Sequence, residues 1–125
     1  MTTPLTLLTE EEEQFRLSVR KYARERVAPH VREMDEQGRL RPELLKDFFE
    51  LGWMGIEVPE EYGGTGGTFF ESILAVEELA GVEPGLSLIV DIQNTLMVNI
   101  VRRWGNDLQK QHWLPRMAAD TVTAF

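Results

Sequence analysis

The chain has 125 residues and 42% hydrophobic content, which suits one compact core and leaves little room for a second. Lys and Arg number 13 against 21 Asp and Glu, so the formal net charge of -8 disfavours nucleic acid as a partner, all the more because the basic residues do not cluster. Cysteine is absent, which excludes disulfides, thiolate metal sites and a cysteine nucleophile.

Residues 1–8 lack a basic stretch followed by a long apolar one, and they run into Glu10 to Glu13, which opposes a signal or transit peptide. Thr9 followed by Glu12 has the spacing of a capping box and predicts a helix start. Phe15, Val19, Tyr22, Ala23 and Val27 recur at three and four residues, giving that helix an apolar stripe, and Pro29 marks its expected end. Pro42 suits a first helical turn, Leu44, Leu45, Phe48 and Leu51 form an apolar face, and Gly52 stands where a left-handed cap is wanted. Residues 53–67, with Pro59, Gly63, Gly64, Gly66 and Gly67, read as an ordered loop.

Thr68 and Glu71 repeat the capping-box spacing before Phe69, Ile73, Leu74, Val76 and Leu79, predicting a helix that ends near Gly81. Residues 86–104 are apolar on nearly every side and predict a helix enclosed by others, terminated at Gly105. Asp91, Gln93, Asn94 and Asn99 interrupt it, so insertion into a membrane is not expected. Asn106 caps a last helix bearing Leu108, His112, Trp113 and Leu114, which Pro115 should stop or bend. Residues 121–125 turn β-branched and aromatic, as a first strand would. The fold class is therefore all-α, a helical bundle in one domain, with residues 9–120 as its helical core.

The sequence carries little chemistry of its own. Gly63-Gly64-Thr65-Gly66-Gly67 lacks both the Lys-Ser or Lys-Thr pair of a phosphate loop and the dinucleotide spacing, so it reads as a tight turn. His30 and His112 stand without acidic neighbours at ligand spacing, and no metal is assigned. Ser87 lacks the second Gly of a nucleophile elbow. Glu10 to Glu13 complement a helix dipole, and Glu77 and Glu78 read as a solvated face. Asp91, in an enclosed helix, calls for an ion pair with an Arg of a neighbouring helix, a ligand contact being the alternative. Gln93, Asn94, Thr95 and Asn99 continue that polar seam, either as helix-to-helix hydrogen bonding or as the wall of a binding cavity.

The stretch Gly52-Trp53-Met54-Gly55-Ile56-Glu57-Val58-Pro59-Glu60-Glu61-Tyr62-Gly63-Gly64-Thr65-Gly66 closely resembles the signature loop of acyl-CoA dehydrogenases. Glu77-Glu78-Leu79-Ala80, Gln93-Asn94-Thr95-Leu96, Gly105 with Gln109-Lys110, and Leu114-Pro115-Arg116-Met117-Ala118 extend the resemblance over nearly the whole chain. Gln93-Asn94-Thr95-Leu96 together with Leu8-Thr9-Glu10-Glu11-Glu12 looks most like the short/branched-chain members.

The resemblance implies oxidation of an acyl-CoA thioester to the 2,3-enoyl-CoA, with a carboxylate taking the α proton and FAD the hydride. It further implies an electron-transferring flavoprotein as electron acceptor, a homotetramer, and a cytoplasmic setting in a bacterium or the mitochondrial matrix in a eukaryote. It places Leu88, Ile89, Ile92, Gln93 and Leu96 in the substrate pocket, with helix packing as the plain alternative, and Phe125 at the start of the flavin-cradling segment. The family's catalytic glutamate and most of its flavin contacts have no counterpart in these 125 residues, so no catalytic residue is assigned and the chain alone is expected to be inactive. A non-catalytic helical interaction module of the same ancestry, or a relative of acyl-CoA oxidases or nitroalkane oxidases, would share these motifs.

Overall fold

A computed structural model describes residue 4 and residues 7–124 of the chain, and among these every regular element is helical. Helix α1 (Glu10–Tyr22) starts at the Thr9/Glu12 capping box, with both reciprocal bonds formed. It does not stop at Pro29. A π turn (Ala23–Val27) and a 3-10 turn (Ala28–His30) lead straight into α2 (Val31–Gln37), which ends on Gly38 at φ 61°. The wide turn moves aside the carbonyl that a proline ring otherwise strikes four residues back, so the rod continues.

Helix α3 (Pro42–Glu50) carries Pro42 in its first turn and is followed by Gly52 at φ 79°. The 53–67 connection is ordered and contains two 3-10 turns, Trp53–Gly55 and Glu60–Tyr62. Gly64 has no room for a side chain, since a Cβ there would run into the Val58 carbonyl and Cβ. Helix α4 (Phe69–Ala80) begins at a second complete capping box, Thr68/Glu71.

The central rod comprises α5 (Pro84–Asp91), a π segment (Ile92–Val98) and α6 (Asn99–Trp104). Among the described residues it is the one helix long and apolar enough to cross a membrane. Gly105 ends it with extended backbone instead of a left-handed cap. Helix α7 (Asp107–Ala119) starts at an Asn106/Gln109 capping box and does not end at Pro115, which lies inside it. Residues 121–124 form no regular element, and Phe125 lies outside the described residues.

Two cores result. The larger joins Val19, Ala23 and Val27 to Leu44, Phe48, Trp53 and Met54, and to Ala75, Leu79, Leu86 and Val90. Within it the Tyr22 ring stands edge-on to Trp53 at 5.0 Å, and Phe48 lies 5.7 Å from Trp53. The Tyr22 hydroxyl donates to Asp47 at 2.7 Å, and burial together with that carboxylate raises its pKa well above the usual phenol value. The smaller core is Val58, Val98, Leu114 and Met117, where the loop, the π segment and α7 meet. Glu78, read above as solvated, instead accepts from Arg20 at 2.7 and 2.8 Å and from Arg16 at 3.3 Å, locking α4 to α1. The Arg20 hydrogen bonds hold the Glu78 carboxyl below the ordinary glutamate range.

Candidate functional site

The polar seam of the central rod explains its winding. Asn94, Thr95 and Asn99 each donate a side-chain hydrogen bond to the carbonyl four residues earlier, on Val90, Asp91 and Thr95 respectively, at 2.9, 2.9 and 3.2 Å. Such back-bonding competes with the backbone for those carbonyls and loosens the α geometry, which is where the π segment forms.

The wider winding has a geometric result. In a plain α-helix, steps of four residues drift around the axis by about 40° each, so a stripe of that spacing soon turns away. Here Leu86, Val90, Asn94 and Val98 all stay buried, and Leu88, Leu96, Ile100 and Trp104 all stay exposed. Each set keeps its face over three or four turns because the π segment takes back the drift.

The inner face is fastened by polar bonds. Asn94 donates to the Trp53 carbonyl at 2.7 Å and accepts from the Glu57 backbone N–H at 3.2 Å, tying rod to loop. Asn99 donates to the Glu57 carboxylate at 2.9 Å. Glu57 is 2% exposed, and burial pushes its pKa up against the opposing pull of Arg102, the Asn99 hydrogen bond and Arg103.

The five pocket residues expected from the sequence fall on three faces. Leu88 (54% exposed) and Leu96 (41% exposed) stand on the open stripe, with half-buried Ile92 between them in the same register. Ile89 is half-buried, packs against the larger core and borders a hollow with Val31, Met34 and Leu40. Gln93 is fully buried, and its amide is spent on bonds to residues 117, 121 and 123 within this chain. The helix expected to be enclosed is thus covered by this chain on one side only. Ile100 and Trp104 extend the open stripe and were not singled out from the sequence; their spacing of four from Leu96 was the available signal.

Asp91 has no arginine partner among the described residues. It is half-buried and accepts from the Thr95 hydroxyl at 2.7 Å, one turn away on its own rod. Ser87 Oγ donates to the Pro84 carbonyl, an ordinary helical bond. His30 meets Arg41 at 3.1 Å, and His112 stacks edge-on to Trp113. Among the described residues, no three His, Cys, Asp or Glu side chains converge as metal ligands would.

For the flavin implied by the sequence resemblance, the described residues offer one edge. Thr121 and Thr123 turn their backbone toward Gln93, while Val122 between them is 47% exposed on the other side. The segment is anchored to the rod and carries one exposed apolar side chain; the one residue assigned to the cofactor, Phe125, lies outside the described residues.

Comparison with known proteins bears on this geometry. Residues 9–121 match the profile described as acyl-CoA dehydrogenase, N-terminal domain. A probable short/branched chain specific acyl-CoA dehydrogenase of Dictyostelium discoideum is 44% identical over 98% of this chain and 30% of that protein. The mitochondrial short/branched chain specific enzyme of Bos taurus is 40% identical over 98% of this chain and 28% of its own length. The crystal structure of a glutaryl-CoA dehydrogenase from Mycobacterium smegmatis, in complex with FADH2, superposes with a TM-score of 0.84 at 33% identity, over 94% of this chain and 30% of that one. The chain thus spans about 30% of the length of the curated relatives it matches.

Proposed function

Because this chain belongs to the acyl-CoA dehydrogenase family of flavin-dependent oxidoreductases, we propose that it forms one wall of the cavity that holds the acyl tail of a short or branched-chain acyl-CoA during 2,3-dehydrogenation. The observation that supports this reading is the open apolar stripe of Leu88, Ile92 and Leu96, on a rod whose two fully buried polar side chains, Gln93 and Asn94, are turned inward. A tail lying on such a stripe meets the methyl groups of Leu88, Ile92 and Leu96. Burial there is favourable by about 0.8 kcal/mol per methylene, which makes chain length and branching legible to the wall.

The chain's own part is positional. Leu88, Ile92 and Leu96 keep water from the reacting carbons, which protects the proton and hydride transfers from solvent, while the carboxylate base is not among these residues. FAD, when bound, supplies the acceptor for the β hydride. Ile89 belongs to this wall only through the hollow beside α2, and Gln93 supports the wall from behind. The chain by itself is proposed to be inactive. An electron-transferring flavoprotein as acceptor, a homotetramer, and a cytoplasmic or mitochondrial-matrix setting according to source complete the reading.

The test is a graft in which these 125 residues replace the corresponding segment of the Dictyostelium relative. The graft is expected to bind FAD, and its flavin should bleach with a branched four-carbon acyl-CoA. Leu96→Trp should then lower kcat/KM for the bulkier acyl groups by about tenfold, with unbranched short chains less affected. A flavin-loaded graft that bleaches with no acyl-CoA refutes the dehydrogenase reading. A Leu96→Trp graft with unchanged preference among acyl groups refutes the wall.

A further inference from the structure

Gln93 is one of two fully buried polar side chains on the central rod, and it is the one that reaches the end of the described chain. Its Nε2 donates to the carbonyls of Met117 and Thr121, each at 2.8 Å. Its Oε1 accepts from the Thr123 N–H and from the Thr123 hydroxyl, each at 2.8 Å. Both amide hydrogens and two acceptor positions are therefore used, and all four bonds go to the last turn of α7 and the four residues beyond it. A glutamine is uniquely suited among uncharged side chains of this length, because it donates twice and accepts twice from one planar group. Without it, residues 121–124 would leave α7 with little else to direct them, the remaining backbone tie among the described residues being the Thr121 N–H to the Arg116 carbonyl.

We propose that Gln93 is a positioning residue, which fixes the direction in which the chain leaves α7 and sets that departing segment rigidly against the rod bearing Leu88, Ile92 and Leu96. Wall and exit segment then move as one body, so that the acyl tail on one side of the rod and the flavin border on the other keep a constant spacing. The clasp itself follows from the geometry; its meaning for the flavin rests on the dehydrogenase reading above.

Hydrogen exchange at the Thr123 amide tests the clasp in the 125-residue chain. In the wild type this amide should exchange at least about tenfold more slowly than an unstructured one, and Gln93→Met should abolish that protection while amides of Val19 and Leu79 stay protected. Wild-type Thr123 exchanging freely, or remaining protected in the Met variant, overturns the proposal. Should Gln93→Met fail to fold, Gln93→Glu decides. A buried glutamic acid there accepts from Thr123 and donates to one carbonyl while protonated, but once ionised it faces the carbonyls of Met117 and Thr121 without a donor. Thr123 protection in that variant should be present at low pH and lost as pH rises, after correction for intrinsic exchange and with the wild type showing no such dependence. Protection independent of pH overturns the clasp. In the graft, Gln93→Met should speed flavin loss on gel filtration by about tenfold. Unchanged flavin retention overturns the positioning role, whereas a graft that never takes up flavin with Gln93 intact defeats the dehydrogenase reading and leaves the clasp to be judged by exchange.

Discussion

The two cores of this bundle are held by different physics. The larger is apolar and aromatic, with Phe48, Trp53 and Tyr22 in mutual contact and its charged groups, Asp47 and Glu78, kept at the margin and paired. The smaller has four apolar members, and polar fasteners surround it: Asn94 to the 53–67 loop, Asn99 to Glu57, Gln93 to the exit segment. Apolar packing is tolerant of direction, whereas hydrogen bonds are not. Stability is therefore concentrated in the first region and positional accuracy in the second, beside the open stripe.

Substitutions should separate the two. Phe48→Ala, which empties the most crowded part of the larger core, should cost about 3–5 kcal/mol in urea unfolding. A loss under about 1 kcal/mol would contradict the contrast. Asn94→Leu keeps the branching and heavy-atom count of the side chain but orphans the Trp53 carbonyl and the Glu57 N–H, and should cost about 2 kcal/mol while loosening residues 53–57 in hydrogen exchange. If exchange there is unchanged, the fasteners are ornamental.

Acid titration distinguishes the regions by sign. Hydrogen bonds from Tyr22 to Asp47 and from Arg20 to Glu78 hold those carboxyls below their ordinary values, so what they add to stability is present above the unfolded carboxylate pKa and is lost as pH falls through the folded one. Burial raises Glu57, so its contribution is complete below the unfolded glutamate pKa and is lost as pH rises through the folded value. Glu57→Gln should accordingly stabilise the chain at neutral pH relative to wild type and have less effect near pH ~4, whereas Glu78→Gln should destabilise at neutral pH and converge on wild type in acid. Urea midpoints against pH read both, and parallel curves would refute the assignment. The smallest effect belongs to neither core: Thr9→Ala should cost about 1 kcal/mol by removing the Thr9 hydroxyl that accepts from the Glu12 N–H at the start of α1.

Local signals in the sequence survived well where the structure uses them locally. The Thr9/Glu12 and Thr68/Glu71 boxes start helices, Asn106 caps α7, and 53–67 is an ordered loop. Pro29 misled, and Pro115 does not end α7, because a proline breaks a helix only when its surroundings cannot widen or absorb the missing N–H. Glu78 misled for another reason: its partners Arg16 and Arg20 lie about sixty residues earlier, and no local pattern announces such a pair. The seam at 93–99 was legible as polar groups needing partners, yet whether they faced a ligand or the protein depended on tertiary placement. Gln93 and Asn94 face the protein. Spacing of four in the buried and exposed sets of the rod was obscured in the sequence, because apolar residues such as Ile89, Met97 and Val101 fill the positions between them.

That spacing sets how the rod would answer a change of length. The seven residues 92–98, wound wide, turn about as far round the axis as about six in an α-helix, so deleting one of them would let ordinary α winding return with Ile100 and Trp104 still roughly in line with Leu88. Tightening the same seven residues to α winding without a deletion would instead swing everything beyond them by roughly 100°, take Val98 from its seat against Leu114, and turn one apolar track into two short ones facing different ways.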